Sequence, residues 1–514
     1  MSGKSFFIQP TNSKEVATSA CGPYSIPTKL LKLGSNLLAA PLSLIINQSF
    51  ALGIFPDALK IAKVVPIYKS GSDDVCSNYR PISLLSNISK ILEKAMHKRV
   101  CAFIEHLEIV YDLQFGFRKN HSTNHALLNF VSTVSDVLDR GGFVFGVFLD
   151  LQKAFDTVNL EILLEKLAIY GIRGVGHKWF ESYLNGRKQF VTIENVDSDH
   201  NAIDCGVPQG SVLGPLLFLL YINDFHRCIS TGIMQHFADD TTILYDGQSL
   251  TKLRKTMSRE ISAIYEWLCA NRLSLNENKT DVILFRPKRK HCVTRITLQV
   301  KTKKIFLSNR IKYLGVIFDS HLSWRPHIAE LAKKLTRANG LLSKIRHYVD
   351  ASTLRAIYYS LFHSHMTYAH LVWGLAGTSE INRIEKLQKQ AVRIITFSDY
   401  SEPSLPLFSR LEILRFDDLL KLNMCLFMHE WYNQKLPKAF DKFFHFHRSN
   451  VGTRSSDVCK LSLPTKRTDK YGSSNIKYKG AALFNQHNEL LLTFSKQKHA
   501  FKKAFTTLLL AAYT

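Results

Sequence analysis

Apolar positions recur along this chain with two different periods. Residues 83–100, SLLSNISKILEKAMHKRV, space Leu, Ile and Met three and four apart, which predicts an amphipathic helix. At Phe143 the period becomes two. Phe143, Phe145, Val147 and Leu149 alternate with Val144, Gly146, Phe148 and Asp150, the pattern of a strand that ends on a carboxylate. A helix over about 160–170 follows, closed by Gly171 where helices commonly stop on a left-handed residue. After a Gly/Pro-rich turn, residues 211–225 predict another helix. Residues 232–245 predict a hairpin: GIMQHFA, a bend at Asp239 and Asp240, then TTILY. Leu253, Met257, Ile261, Ile264 and Leu268 share one face of a long helix, and a strand returns at 280–285. Beyond about 320 helical patterns dominate, as in HIAELAKKLTRANGLLSKI and INRIEKLQKQAVRIITF. The expected class is α+β, an antiparallel sheet core with helices followed by a mainly helical, basic C-terminal region. Residues 1–25 read as a polar linker, and no internal repeat or low-complexity segment stands out.

Charge narrows the partners. The 514 residues carry 67 Lys and Arg against 42 Asp and Glu, a net +25. Residues 321–514 hold 29 of the basic and 14 of the acidic side chains, so the excess is concentrated there. With 46% hydrophobic residues the chain has ample material for a core, which excludes disorder throughout. Such a basic protein suits an anionic partner, nucleic acid first and a membrane surface second. The longest apolar run, 212–222, is broken by Gly214 and Pro215 and is too short to span a bilayer, and the N-terminus lacks a secretory apolar core. Nine cysteines, from Cys21 to Cys459, include no CxxC pair, which suits a reducing, intracellular setting. His363, His365 and His370 with Cys425 and Cys459 make no zinc pattern and read as packing or surface residues.

Three carboxylates stand out by position. Asp150 ends a strand, and Asp239 and Asp240 lie in a bend between apolar strands. Adjacent like charges there call for a cationic partner, and a hard divalent cation is the natural one. If the Asp150 strand lies beside the hairpin, Asp150 and Asp239 have the disposition that two-metal phosphoryl transfer uses. By itself FADD also describes a solvated turn.

An ordered set of motifs adds to this. AKVVPIYKSG (62–71), NYRPISLLS (78–86), QFGFRKNHST (114–123), FLDLQKAFDTV (148–158), GVPQGSVLGPLLF (206–218), FADD (237–240), RLSLNENKT (272–280) and YLGVIFD (313–319) occur in this order. The set resembles reverse transcriptases of non-LTR retrotransposons, the LINE type of the jockey and chicken-repeat-like kind. The resemblance covers about 50–319 closely and continues more loosely through the helical part. It implies a right-hand polymerase: an N-terminal linker and start of fingers (1–49), fingers and palm (50–319), and a helical thumb with a basic tail (320–514).

By that resemblance Asp150 and Asp239 bind metal, with Asp240 as their catalytic neighbour. Phe155 corresponds to the bulky gate against a ribose 2′-OH. Gln209 corresponds to the residue that positions nucleotide and template, with Gly210 allowing close backbone approach. Arg80 and Lys69 match positions that hold the triphosphate. Lys279 matches the lysine that protonates departing pyrophosphate, and the stretch 313–316 matches the primer grip. Lys333, Lys334, Arg337, Lys344 and Arg346 recur along one helix and suit either a nucleic-acid clamp or a solvated face. RPKRKH (286–291) and KQKHAFKK (496–503) suit RNA contact or import.

The implied activity is RNA-directed DNA polymerisation with two Mg²⁺ (or Mn²⁺), on an RNA template with a DNA primer or target and dNTPs. No zinc and no membrane enter, the oligomeric state stays open, and residence is in nucleus and cytoplasm. A catalytically silent remnant or a domesticated nucleic-acid-binding protein is the alternative. Gly22-Pro23-Tyr24-Ser25 replaces the family's Gly-Pro-Asp-Gly. No endonuclease fits before it, and no ribonuclease H-like carboxylate set or zinc knuckle follows. The priming nick is therefore expected from another protein or an existing break.

Overall fold

The computed structural model describes residues 22–194, 196–290, 297–300, 303–447 and 460–513. Cys21, His291, Cys459 and most of the expected N-terminal linker lie outside them. In chain order the strands that position the site are β1 (Ile61–Tyr68), β2 (Tyr79–Leu85), β3 (Phe143–Leu149), β4 (Lys188–Ile193), β5 (Ile233–Phe237), β6 (Asp240–Gly247), β7 (Asp281–Phe285), β8 (Arg310–Tyr313) and β9 (Val316–Asp319). The main helices are α1 (Asn87–His106), α2 (Thr123–Asp139), α3 (Leu160–Ile169), α4 (Gly214–Ile222), α5 (Leu250–Ala270), α6 (Arg325–Ile345), α7 (Thr378–Thr396), α8 (Phe416–Tyr432), α9 (Ile476–Thr493) and α10 (Lys498–Ala511).

The chain divides into two units, each discontinuous in sequence. The first takes in the chain as far as Tyr111, Asp150–Ser230 and Ser262–Asn276; the second takes in Asp112–Leu149, Thr231–Ile261 and the chain from Glu277 on.

In the first unit β1 pairs antiparallel with β2 and parallel with β4, leaving β2 at an edge. Residues 83–85 belong to β2, and the helix expected from 83 starts only at Asn87 and continues to His106. The pair Leu84-Leu85 fits either period, and Pro81 in the preceding stretch is at home on an edge strand. Helix α3 begins where Asn159 caps it, its side chain accepting from Ile162 N, and Gly171 follows at φ +96° as expected. Helix α4 is shorter than the expected 211–225 and is buried on every side, so it is a core helix. One further helix, Ser35–Leu52, is long and apolar enough by length and composition to cross a membrane, with mean hydropathy 1.2. The reading of 212–222 as the longest apolar run passes over this helix because Ser, Asn and Gln interrupt its apolar positions. Ser49 in it accepts from Trp179 Nε1 at 2.9 Å, so part of it is tied to the helix Val175–Leu184. Residues Gly22–Ser25 form a turn: Ser25 N donates to Gly22 O, and Ser25, where the resemblance implies a glycine, sits at φ +51°.

In the second unit the sheet order is β5-β6-β3-β7, antiparallel throughout. All seven residues of β3 are buried. The two alternating sets are both apolar because β3 is a central strand covered on both faces. Each large side chain so buried contributes about 1.5–3 kcal/mol. Helix α5 belongs to this unit as far as Ile261, and all five apolar positions expected along it are buried. Beyond Asp319 the unit is mainly helical, as the C-terminal patterns predict, with Ile328, Leu331, Leu335 and Leu342 forming the buried face of α6.

Candidate active site

The second unit brings one end of its sheet to chemical use. Phe237 pairs with Asp240, Thr241 with Leu149, and Phe148 with Asp281. The end of β3, the start of β6 and the start of β7 therefore share one end of the sheet. The bend consists of Ala238 and Asp239, and Asp240 is the first residue of β6, which corrects the expected Asp239–Asp240 bend by one position. Ala238 occupies the left-handed region at φ +58°, a conformation that alanine does not announce in a sequence. Asp239 is half-buried and Asp240 exposed. Lys279, exposed, precedes β7 by two residues and so lies at the same end of the sheet. In the chain, Asp150 is the residue immediately after β3.

A buried polar group ties this end to the β8–β9 hairpin. Gln235 of β5 accepts from Asn129 Nδ2 at 2.8 Å and donates to Ala126 O at 3.0 Å and to the Tyr313 hydroxyl at 3.3 Å. Burial pushes the Tyr313 phenol up to about 12, against the hydrogen bond from Gln235 and with the Asp240 charge adding to the rise. The 313–316 stretch is a tight hairpin: Tyr313 pairs with Val316, and Leu314 and Gly315 both have positive φ.

Helix α6 carries Lys333, Lys334, Arg337 and Lys344 on exposed positions, three of them on one face. Lys333 is paired with Glu330 at 2.7 Å. Arg346 caps the helix, its guanidinium 5.3 Å from the Phe397 ring centre, and so departs from the row. Lys290, of the 286–291 cluster, is spent on the fold, its ammonium hydrogen-bonded to Gly141 O and 4.8 Å from the Phe143 ring centre. His370 is buried beside Phe416 and hydrogen-bonded to Asn423, a packing role.

The first unit assembles the residues expected to handle a nucleotide. Lys69 and Arg80 are exposed and lie on one face of the β1–β2 hairpin, where Ile67 pairs with Arg80 and Lys69 N donates to Asn78 O. At the free edge of β2, Ser83 N donates to Gln209 O at 2.8 Å. Gly210, at φ +125°, lies so close that a Cβ there would stand 2.4 Å from Ser83 O, which explains the glycine. Gln209 Nε2 donates to Asp156 Oδ1 at 2.9 Å. Burial raises the Asp156 carboxyl above its ordinary range, more than the Gln209 hydrogen bond and Lys153 lower it. Phe155 stacks on Phe218 with ring centres 4.4 Å apart, and its carbonyl accepts from Val207 N. Asp150 accepts from Asn276 twice: its carbonyl from Asn276 N at 2.7 Å and its Oδ2 from Asn276 Nδ2 at 2.8 Å.

Sequence reasoning missed Asn276, Asp156 and Glu93. Glu93 of α1 is fully buried; its Oε2 accepts from Val212 N at 2.7 Å and Leu213 N at 3.2 Å, and its Oε1 from Ser89 Oγ at 2.9 Å. It thereby holds the segment between the Gln209-Gly210 turn and α4 at that helix's N-terminus. A charged residue on the buried stripe of 83–100 was the available signal.

Residues 67–318 match the family described as reverse transcriptase (RNA-dependent DNA polymerase). Those residues are thus a reverse transcriptase domain, and the curated proteins it is similar to come from non-LTR retrotransposons. The probable RNA-directed DNA polymerases from transposon BS and transposon X-element of Drosophila melanogaster are each 29% identical to it. They align over 70% and 74% of this chain and 41% and 42% of their own length. The RNA-directed DNA polymerase from mobile element jockey of Drosophila funebris is 28% identical over 75% of this chain and 43% of its own. This reverse transcriptase chain thus spans about two fifths of the curated relatives it matches. The right-hand polymerase fold and mixed helix and sheet content follow from the family, which uses divalent metal ions. Among the described residues no three His, Cys, Asp or Glu side chains form a ready-made metal cluster. The oxygen donors of the three aspartates suit a hard cation that takes one or two carboxylates and completes its shell with phosphates and water.

Proposed function

We propose that the chain is an RNA-directed DNA polymerase that extends a DNA primer on retroelement RNA. The observation that carries this is the sheet end: Asp239 in the bend, Asp240 opening β6, and Leu149, registered with Thr241, handing the chain to Asp150. In this reading Asp150 and Asp239 hold two Mg²⁺, for which Mn²⁺ can substitute, with Asp240 beside them. When bound, such ions lower the pKa of the primer 3′-OH and neutralise charge on the phosphates.

The chain's own residues do the rest. Arg80 and Lys69 hold the triphosphate from one face of their hairpin. Phe155, fixed against Phe218, leaves no room for a ribose 2′-OH. With its Nε2 given to Asp156, Gln209 turns its carbonyl end toward nucleotide and template. The primer 3′-OH loses its proton to water, its oxygen bonds to the α-phosphorus, the bond to the β-phosphate oxygen breaks, and Lys279 gives a proton to the departing pyrophosphate. The 313–316 hairpin supports the primer. Lys333, Lys334, Arg337, Lys344 and Arg346 contact the phosphates of the primer–template. Fingers and palm then occupy about 50–319 and the thumb with its basic tail 320–514. The protein works in the nucleus after synthesis in the cytoplasm.

Primer extension on a defined RNA template with dNTPs and Mg²⁺ tests the reading, with primer–template binding measured in parallel. Extension by the wild type, lost by about a thousandfold or more in Asp239→Ala with binding retained, is the expected result. Equal binding with no extension by either protein would replace the enzyme with a silent nucleic-acid binder.

A further inference from the structure

The residues that aim Asp239 lie more than a hundred positions upstream in the same unit. Residues 113–116 run along the side of β5 away from β6: His236 N donates to Leu113 O at 2.9 Å and Phe115 N to His236 O at 2.8 Å. That pairing delivers Gln114 to the bend. Its Oε1 accepts from Gly116 N at 2.8 Å and from Ala238 N at 3.1 Å, and its side chain is 3% exposed. Gly116 closes on the bend from the same side, and a Cβ on it would stand 2.3 Å from Ala238 N and 3.0 Å from Ala238 Cα. No larger residue permits this approach, because the obstructing atoms are backbone. Phe115 between them is buried and anchors the stretch in the core of the unit.

A left-handed alanine does not persist by itself; the surrounding structure has to hold it. The hydrogen bond from Ala238 N to Gln114 and the close packing of Gly116 are the contacts that hold it here. We infer that Gln114 and Gly116 are positioning residues that lock the Ala238-Asp239 bend and so set where the Asp239 carboxylate meets a divalent cation. The inference rests on the polymerase reading for the identity of that cation. The choice of an amide is chemically apt. Glutamine offers the same acceptor oxygen as glutamate without adding a third negative charge beside Asp239 and Asp240. A displacement of about 1 Å at a reacting group is enough to cost about a hundredfold in rate, so a lock of this kind matters for turnover more than for stability.

Gln114→Met keeps side-chain length and removes the acceptor; Gln114→Glu keeps the acceptor. Three readouts apply to the full chain. They are deuterium exchange at the Ala238 amide, Mn²⁺ titration by electron paramagnetic resonance on a dideoxy-terminated primer–template with matching dNTP, and steady-state extension. In Gln114→Met, exchange at Ala238 rises about tenfold or more, half-saturation by Mn²⁺ rises about fivefold, and kcat falls about tenfold, as expected for loss of one aligning contact. KM for dNTP stays near wild type, the melting temperature falls by a few degrees because two buried amides lose their acceptor, and Gln114→Glu regains the exchange protection. Gly116→Ala, which leaves Gln114 in place and displaces the bend by contact, gives the same changes and decides the matter if Gln114→Met does not fold. Unchanged exchange and Mn²⁺ titration with normal wild-type extension overturn the inference and leave the polymerase standing. So does a fall in melting temperature alone. Failure of the wild type to extend overturns the polymerase reading instead, while the exchange result still decides whether Gln114 holds the bend.

Discussion

In the first unit a buried carboxylate, Glu93, accepts the amides of Val212 and Leu213 and holds the segment that follows Gln209 and Gly210. In the second, the neutral amide of Gln114 accepts those of Gly116 and Ala238 and holds the bend that carries Asp239. Both are side-chain oxygens brought from a distant stretch of chain to fix the backbone of a segment with chemistry on it. They differ in charge, and their surroundings explain the difference. Glu93 faces the N-terminus of α4 and has Arg187 near it, both of which favour an anion. Gln114 faces a bend flanked by two aspartates, where an anion would raise the very carboxylates that have to stay ionised. The lesson is that polar residues on buried positions are chosen by the charge of what they hold.

Breaking the first of the two contacts has the largest expected consequence for folding. Glu93→Ala leaves two helix-terminal amides without their acceptor and the buried Arg187 without a nearby counter-charge, and destabilises the protein by about 3 kcal/mol in chemical denaturation. Glu93→Gln, which keeps an acceptor for the amides and presents an amide N–H₂ that donates to the Ser89 hydroxyl, stays within about 1 kcal/mol of wild type. Next comes selectivity. Phe155→Val opens the space beside Phe218 and increases ribonucleotide incorporation relative to deoxynucleotide by about tenfold to a hundredfold in single-nucleotide assays.

A subtler contrast lies in pH. Burial raises the Glu93 carboxyl above its ordinary range despite the amides and Arg187, so the folded state binds that proton more tightly than the unfolded one. Stability is therefore fully present below the ordinary carboxylate value and falls as pH rises from there through the raised value of the folded state. Comparing unfolding of wild type and Glu93→Gln across that window shows the fall in the former alone; a parallel fall in both would remove Glu93 as its source. The smallest effect is at α6. Replacing Lys334 and Arg337 by alanine lowers affinity for primer–template evenly across sequences and reduces the salt slope by about one per side chain.

Much of the fold was legible because its signals are local. The period-two run at 143–149, the five-residue apolar stripe of α5 and the Gly171 stop of α3 each lie within one element. The bend was misplaced by one residue because Asp tolerates a left-handed backbone better than Ala, and only tertiary contacts force Ala238 into it. The start of α1 was misread because pairing with β1, an event outside the window, claims Ser83–Leu85. In the candidate site, the residues with reactive side chains were recognisable from ordered motifs. Their supports were not: Glu93 acts on amides 119 and 120 positions away, and Gln114 on one 124 positions away. No periodicity records such a pairing.

The central claim is that Asp150 and Asp239 hold the catalytic cations, and metal-directed cleavage tests it without reference to turnover. Fe²⁺ in place of Mg²⁺, with ascorbate and a dideoxy-terminated primer–template present, generates hydroxyl radicals that cut the chain beside the bound ion. The account predicts cuts next to residue 150 and within 238–240 in the wild type, suppressed by excess Mg²⁺ and lost in Asp239→Ala. Cuts that fall elsewhere, or that persist unchanged in Asp239→Ala, would contradict it.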